Sequence, residues 1–157
     1  WKSGGAQSVA PAKSNSNLFP VTVNYGKSLK EMIADGKYDW VNDDISEKHF
    51  SMTGKGKAEL NLELVHFNKY ISSDAVLAEL KKMGMRPATL WELLAFGKKF
   101  PEKQREFPVV ALGSVWRVFG GGRRVPCLWD GLDGRGLDLR WCGNEGGGCR
   151  FLAVRES

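Results

Sequence analysis

The sequence predicts one α+β domain. Three observations point there: apolar residues that alternate with period two in several segments, two capped amphipathic helices in close order at mid-chain, and a glycine- and arginine-rich C-terminal region that still closes on the regular stretch "RFLAVRE". A chain of 157 residues can bury roughly two-thirds of its unfolded surface in one core without disulfides or metals.

"LFPVTVNY" alternates Phe19, Val21, Val23 and Tyr25, the signature of a half-buried strand. Ser28 and Glu31 have capping-box spacing and open a short helix with Leu29, Met32 and Ile33 on one side and Gly36 as its stop. "YDWVNDDISEKHFSMTGKGK" reads as loop, and "AELNLELVHF" as a second strand with Leu60, Leu62 and Leu64 on one face. A helix follows with Ser72 or Ser73 as cap, Val76, Leu77, Leu80 and Met83 as its buried stripe, and Gly84 as its end. The next helix starts after Pro87, carries a capping box from Thr89 to Glu92, buries Leu90, Leu93 and Leu94, and stops at Gly97. "FPVVALGSVW" is a nearly continuous apolar run, as expected of a central strand covered on both sides.

At residue 117 the composition changes. Every lysine lies between Lys2 and Lys103, whereas most arginines lie at or beyond Arg117. Residues 117 to 150 hold ten glycines, no Lys, Gln or Met, and one Glu. So much glycine is entropically costly to fold, which suggests selection for something besides stability. Yet "GLDLRW" sets Leu137, Leu139 and Trp141 on one strand face and Gly136, Asp138 and Arg140 on the other, and "RFLAVRE" offers Phe151, Ala153, Leu152 and Val154 for burial. The decorating residues fit one codon pattern: replacing both adenines of AAC with any base yields Gly, Arg, Cys, Asp, Leu, Val and Asn but never Lys, Gln, Glu, Met or Trp. On that pattern Glu145, Trp129 and Trp141 belong to the frame or to another template codon.

"YDWVNDDIS", "RPATLWELLAFG", "FPVVALGSVW", the "RVP" at 124–126 and the closing "RFLAVR" together resemble the variable proteins of diversity-generating retroelements, the archaeal and small-genome bacterial type. The resemblance spans residues 18 to 157. It implies a C-type lectin-like fold, with an antiparallel sheet and two packed helices supporting a C-terminal variable region at about 117–150. It also implies a non-enzymatic receptor or display protein whose contact residues are rewritten by adenine-directed mutagenesis through a reverse transcriptase. Carried over position by position, the variable, ligand-binding residues are Gly120, Gly122, Arg124, Cys127, Asp130, Gly131, Asp133, Gly136, Asp138, Arg140, Cys142, Gly143, Asn144, Gly146, Gly147 and Cys149. Leu137, Leu139, Trp141, Phe151 and Val154 are the scaffold, and Arg117, Val118 and Leu132 fall in either class. Arg124, Arg140 and Trp129 are candidate anchors, because arginine and aromatic residues carry most interface energy. The expected partner is a protein or other macromolecule, bound by a monomer.

Composition is that of a soluble globular protein, and no apolar run approaches the ~20 residues of a membrane helix, so no membrane partner is expected. The net charge of +5 is spread along the chain rather than gathered in a basic patch, so nucleic acid is not the expected ligand. "WKSGGAQSVAPAKSNSN" lacks a signal-peptide core; residues 1–17 are set aside as a disordered or cloning-derived segment, with a cytoplasmic or virion-associated location expected. Cys127, Cys142 and Cys149 are odd in number and match no zinc spacing, so neither a disulfide framework, a metal nor a cofactor is expected.

Other readings compete. Asp130, Asp133, Asn144 and Glu145 supply only part of a calcium shell. "GGGRR" suits an arginine-glycine RNA-binding coil, which the alternating segments oppose. A degenerate formylglycine-generating-type enzyme would need paired cysteine chemistry that the sequence lacks. "GKGK" is a turn rather than a phosphate loop, His49 and His66 are surface or core residues, and Trp40, Trp91 and Trp116 are expected to pack the core, with Trp116 also bordering the variable segment.

Overall fold

The computed structural model describes residues 17 to 52 and 54 to 156; the expectation for residues 1–16 lies outside the described residues. In chain order the elements are β1 (Leu18–Asn24), α1 (Leu29–Asp35), β2 (Trp40–Val41), β3 (Lys57–Val65), β4 (Ile71–Ser72), α2 (Ser73–Lys82), β5 (Met85–Pro87), α3 (Leu90–Lys99), α4 (Lys103–Glu106), β6 (Val109–Val110), β7 (Trp116–Arg117), β8 (Arg123–Gly131), β9 (Gly134–Trp141), β10 (Asn144–Glu145) and β11 (Arg150–Arg155). The class is α+β. No helix among the described residues is long and apolar enough to cross a membrane.

One large sheet runs in the order β1-β3-β11-β6-β8-β9-β2, with β5 also paired to β11 and β7 to β8, while β4 and β10 form a separate pair. The expectation of an antiparallel sheet needs correction, because β11 runs parallel to β6 and β2 parallel to β9. β11 enters between strands already laid down, antiparallel to β3 and β5, which leaves it running with β6 on its other side.

Helices cover both faces. On one, Leu62, Leu128, Leu137, Leu139, Leu152 and Val154 pack with Leu29 and Met32 of α1 and Leu90, Leu93, Leu94 and Phe96 of α3. On the other, Val110, Val125, Cys127, Phe151 and Ala153 meet Val76 and Leu80 of α2. This double cover explains why four successive residues of β11 are buried. Both expected capping boxes form, at Ser28 with Glu31 and at Thr89 with Glu92. The edge position of β1 tolerates Pro20, which has no backbone N–H to donate.

Three expectations are revised. α3 does not stop at Gly97 but runs on to Lys99, because Gly97 is a packing residue: a Cβ there would collide with Tyr38 Oη and come within 3.1 Å of Leu128 Cδ1. The apolar run 107–116 is not one strand but yields the two residues of β6 and, at its end, Trp116 of β7, since the backbone of Gly113 turns against Ala88, its N–H donating to Ala88 O at 2.8 Å where a Cβ would be 2.6 Å from that oxygen. The stretch 38–57 is not all loop, because Trp40 and Val41 form β2.

Candidate functional site

Residues 117–150 build the β7–β8–β9 end of the sheet and the loop that returns through β10. β8 and β9 form an antiparallel hairpin in which Arg124 faces Trp141, Pro126 faces Leu139, Cys127 faces Asp138 and Trp129 faces Gly136. The alternation read in the sequence is present: Leu128, Leu137 and Leu139 go into the α1/α3 core, while Asp130, Leu132 and Asp133 are exposed at the hairpin tip. Gly131 and Gly134 flank the two-residue turn, and Gly134 adopts φ of 102°, where glycine avoids the strain of a Cβ.

Tryptophans form the outer layer. Trp129 is 37% exposed and lies over Gly136 and Gly131; a Cβ at Gly136 would be 2.9 Å from its Nε1. Trp40 of β2 flanks Gly136 from the other strand and is 43% exposed, so it is a surface residue rather than the expected core one. Trp141 also departs from its scaffold role: at 58% exposure it covers Gly122, whose Cβ would be 2.5 Å from the ring. Phe119, in the β7–β8 turn, is fully exposed. The apolar surface is therefore in two parts: Trp40, Trp129 and the hairpin-tip Leu132 at one end, and Trp141 and Phe119 at the other.

The remaining candidate glycines differ in kind. A Cβ at Gly143 or Gly146 meets nothing within 4 Å, so side chains fit there freely. Gly147 is tighter, its Cβ position lying 3.3 Å from Lys69 N. Gly120 has open space but φ of 104°, so a side chain there is strained and free variation is not supported.

Three positions expected to point outward are buried: Cys127, Cys149 and Gly136. Because α2 covers the second sheet face, Cys127 and Cys149 join its core instead of a contact surface. Burial pushes the Cys127 thiol up to about 12, away from reactivity. Cys142 is half-buried, and burial raises its thiol as well.

This corner is locked by Glu145, which is inaccessible to solvent. Its Oε2 accepts from Ser73 Oγ at 2.8 Å, and its Oε1 lies 3.4 Å from Arg140 Nε. Arg140 also donates to Cys149 Sγ at 3.2 Å. Ser73 N donates to Gly143 O at 2.7 Å, and Asn144 pairs through its backbone with Ser72, so the first turn of α2 holds the 142–145 segment from both sides. Arg140 thus braces the frame more than it offers an anchor.

On the α1/α3 face, Arg124 lies 5.0 Å from the Trp141 ring and donates to Leu139 O at 2.9 Å, with Asp44 at 4.0 Å. His49 stacks on Trp116 at 3.8 Å. Sequence reasoning missed that the 38–50 stretch borders this end of the sheet: Asn42 Nδ2 donates to Asp138 Oδ1 at 2.9 Å, and Asp39 accepts from Arg135 N at 2.8 Å. The one available signal was aromatic Trp40 beside β-branched Val41 inside a polar stretch.

No protein-family model, curated protein or solved structure matches the chain. The calcium reading gains no geometry either, since Glu145 is closed off against Ser73 at the opposite end of β9 from Asp130 and Asp133. Among the described residues no cluster of three or more His, Cys, Asp or Glu side chains could hold a metal ion.

Proposed function

We propose that this chain is a non-enzymatic ligand-binding display protein of C-type lectin-like architecture, acting as a monomer on a protein or other macromolecule, with its C-terminal surface rewritten by a diversity-generating retroelement. The carrying observation is the room left for substitution around 117–150: open space at Gly143 and Gly146, and only indole edges above the half-buried Gly122 and Gly131. Substitutions at such exposed sites usually change stability by less than about 0.5 kcal/mol, so contacts can change while the frame holds. Exposed Trp40, Trp129 and Trp141 supply area on which a ligand could anchor. The contact set best supported by exposure is Arg124, Asp130, Gly131, Asp133, Asp138, Cys142, Gly143 and Gly146, with Trp40 and Trp129 beside them.

The arginine-glycine RNA-binding alternative predicts an irregular coil, whereas residues 124–131 and 134–141 pair in register along their whole length. Sequencing the encoding DNA with several kilobases of flank tests the proposal. Mismatches to a nearby repeat confined to its adenines, next to a reverse-transcriptase gene, support it. Absence of any such repeat overturns it.

A further inference from the structure

The register sets Trp129 of β8, Gly136 of β9 and Trp40 of β2 side by side in one row. By alternation this row shares the sheet face of Cys127, which α2 covers further along. The Trp129 indole lies flat on the row. A Cβ at Gly136 would be 2.9 Å from its Nε1, and one at Gly131 would strike the six-membered ring at Cζ3, so both ends of the ring rest on bare glycine backbone. With one face set on the glycines and 37% of the residue exposed, the other face is open to solvent.

An open indole face attracts cations, more strongly than the other aromatic rings do. Elsewhere the chain makes such pairs internally: the guanidinium carbon of Arg124 lies 5.0 Å from the Trp141 ring, that of Arg135 4.8 Å from Tyr38 and that of Arg150 4.2 Å from Phe107. Among the described residues no cation sits over Trp129 or Trp40. The next row on the same face, about 7 Å along the strands, sets Asp138 beside Cys127. Asp138 Oδ1 accepts from Asn42 Nδ2 at 2.9 Å and from Leu139 N at 2.7 Å, whereas Oδ2 has no partner among the described residues. Arg140, one row further, is committed to Glu145 and Cys149, and Arg105 pairs with Asp130 on the opposite face, so neither neutralises this carboxylate.

We infer that this row is an arginine-binding patch: the guanidinium of a protein partner stacks on the open face of Trp129, beside Trp40, and turns its N–H fork to Asp138 Oδ2. A planar guanidinium does both at once, whereas an ammonium is a compact point charge. Gly131, Gly136 and Asp138 all belong to the candidate variable positions, so the preference belongs to this version of the surface. The inference rests on the display reading for its protein partner and names that partner's chemistry. N-acetyl-arginine methylamide titrated into the ¹⁵N-labelled chain is expected to move the Trp129 indole resonance saturably in the millimolar range. Its neutral isostere, N-acetyl-citrulline methylamide, and sodium chloride at matched concentration are expected to leave that resonance in place. The Trp141 indole, already beside Arg124, is the internal control and should stay still. Asp138→Asn and Trp129→Leu are each expected to weaken binding about three- to fivefold, the second read at the Trp40 indole. An unmoved Trp129 resonance, an equal shift with the citrulline compound, an equal shift at Trp141 or unchanged affinity in Asp138→Asn overturns the inference. If a variant does not fold, the arginine and citrulline comparison in the unsubstituted chain decides. None of these outcomes bears on diversification, which the flanking DNA tests separately.

Discussion

The phenol of Tyr38 lies across Gly97 of α3, so that any Cβ at that position would strike its oxygen. In an open helix, glycine to alanine gains about 1 kcal/mol. Here Gly97→Ala is expected to lose about 2 kcal/mol, the usual cost of overpacking. Urea unfolding midpoints check the sign, and a Tyr38→Phe background should recover part of the loss. Tyr38→Phe alone should be nearly neutral, because Tyr38 Oη is buried without a hydrogen-bond partner.

Arg135 joins what the sequence keeps apart. Its Nη1 donates to Gly36 O at 2.8 Å, and its Nη2 donates to Gly97 O and to Gln104 Oε1, each at 3.0 Å. One buried guanidinium thus ties the end of α1 to α3 and to α4. Lysine cannot reproduce this fork. Arg135→Lys is expected to cost about 2–3 kcal/mol in denaturant unfolding, and an unchanged midpoint would remove Arg135 from the frame.

Thiol chemistry should separate the three cysteines. Cys142 is half-buried while Cys127 and Cys149 are buried, so an aromatic disulfide reagent should label Cys142 first and reach the other two only on unfolding. The Cys127 thiol ionises near 9.0 when unfolded and at about 12 when folded. Below pH 9 neither state loses this proton, and above it the unfolded chain ionises first. Stability is therefore fully present below about pH 9 and falls as pH climbs towards 12. Denaturation on either side of pH 9 should show a shallower alkaline decline in Cys127→Ala than in the parent chain.

Filling the glycine floor should move the indole above it. Gly136→Ser is expected to lift Trp129, seen as a red-shifted emission component and stronger acrylamide quenching that vanish in a Trp129→Phe background. Stability should change by less than about 1 kcal/mol, since the colliding atoms belong to a partly exposed side chain. A large loss of stability with unchanged quenching would mean that Gly136 belongs to the core.

What was legible in the sequence was whatever short-range physics controls. The capping hydroxyls of Ser28 and Thr89, the alternation in β1 and β9 and the apolar centre of β11, Phe151 to Val154, each declare themselves within a few residues. What was hidden depended on partners far along the chain. Cys127 and Cys149 look like decoration until α2 is laid over them, and Arg135 looks like one more surface arginine until it meets carbonyls almost a hundred residues away. Trp141 fits the apolar face of its strand, but the core ends at Leu139 and leaves the indole outside. Gly97 carried a stop signal only because the ring that needs its bareness is far back at Tyr38.

β11 lies in the interior of the sheet, hydrogen-bonded to β3, β5 and β6, and it follows the whole 117–149 stretch in the chain. During synthesis, β3 and β6 wait without the strand that joins them until every codon of that stretch has been translated. A nonsense codon or frameshift anywhere within it deletes the joining strand and leaves two unsatisfied edges for degradation to find. The order of the strands thereby makes completion of the large sheet depend on in-frame translation through the last strand, Arg150–Arg155.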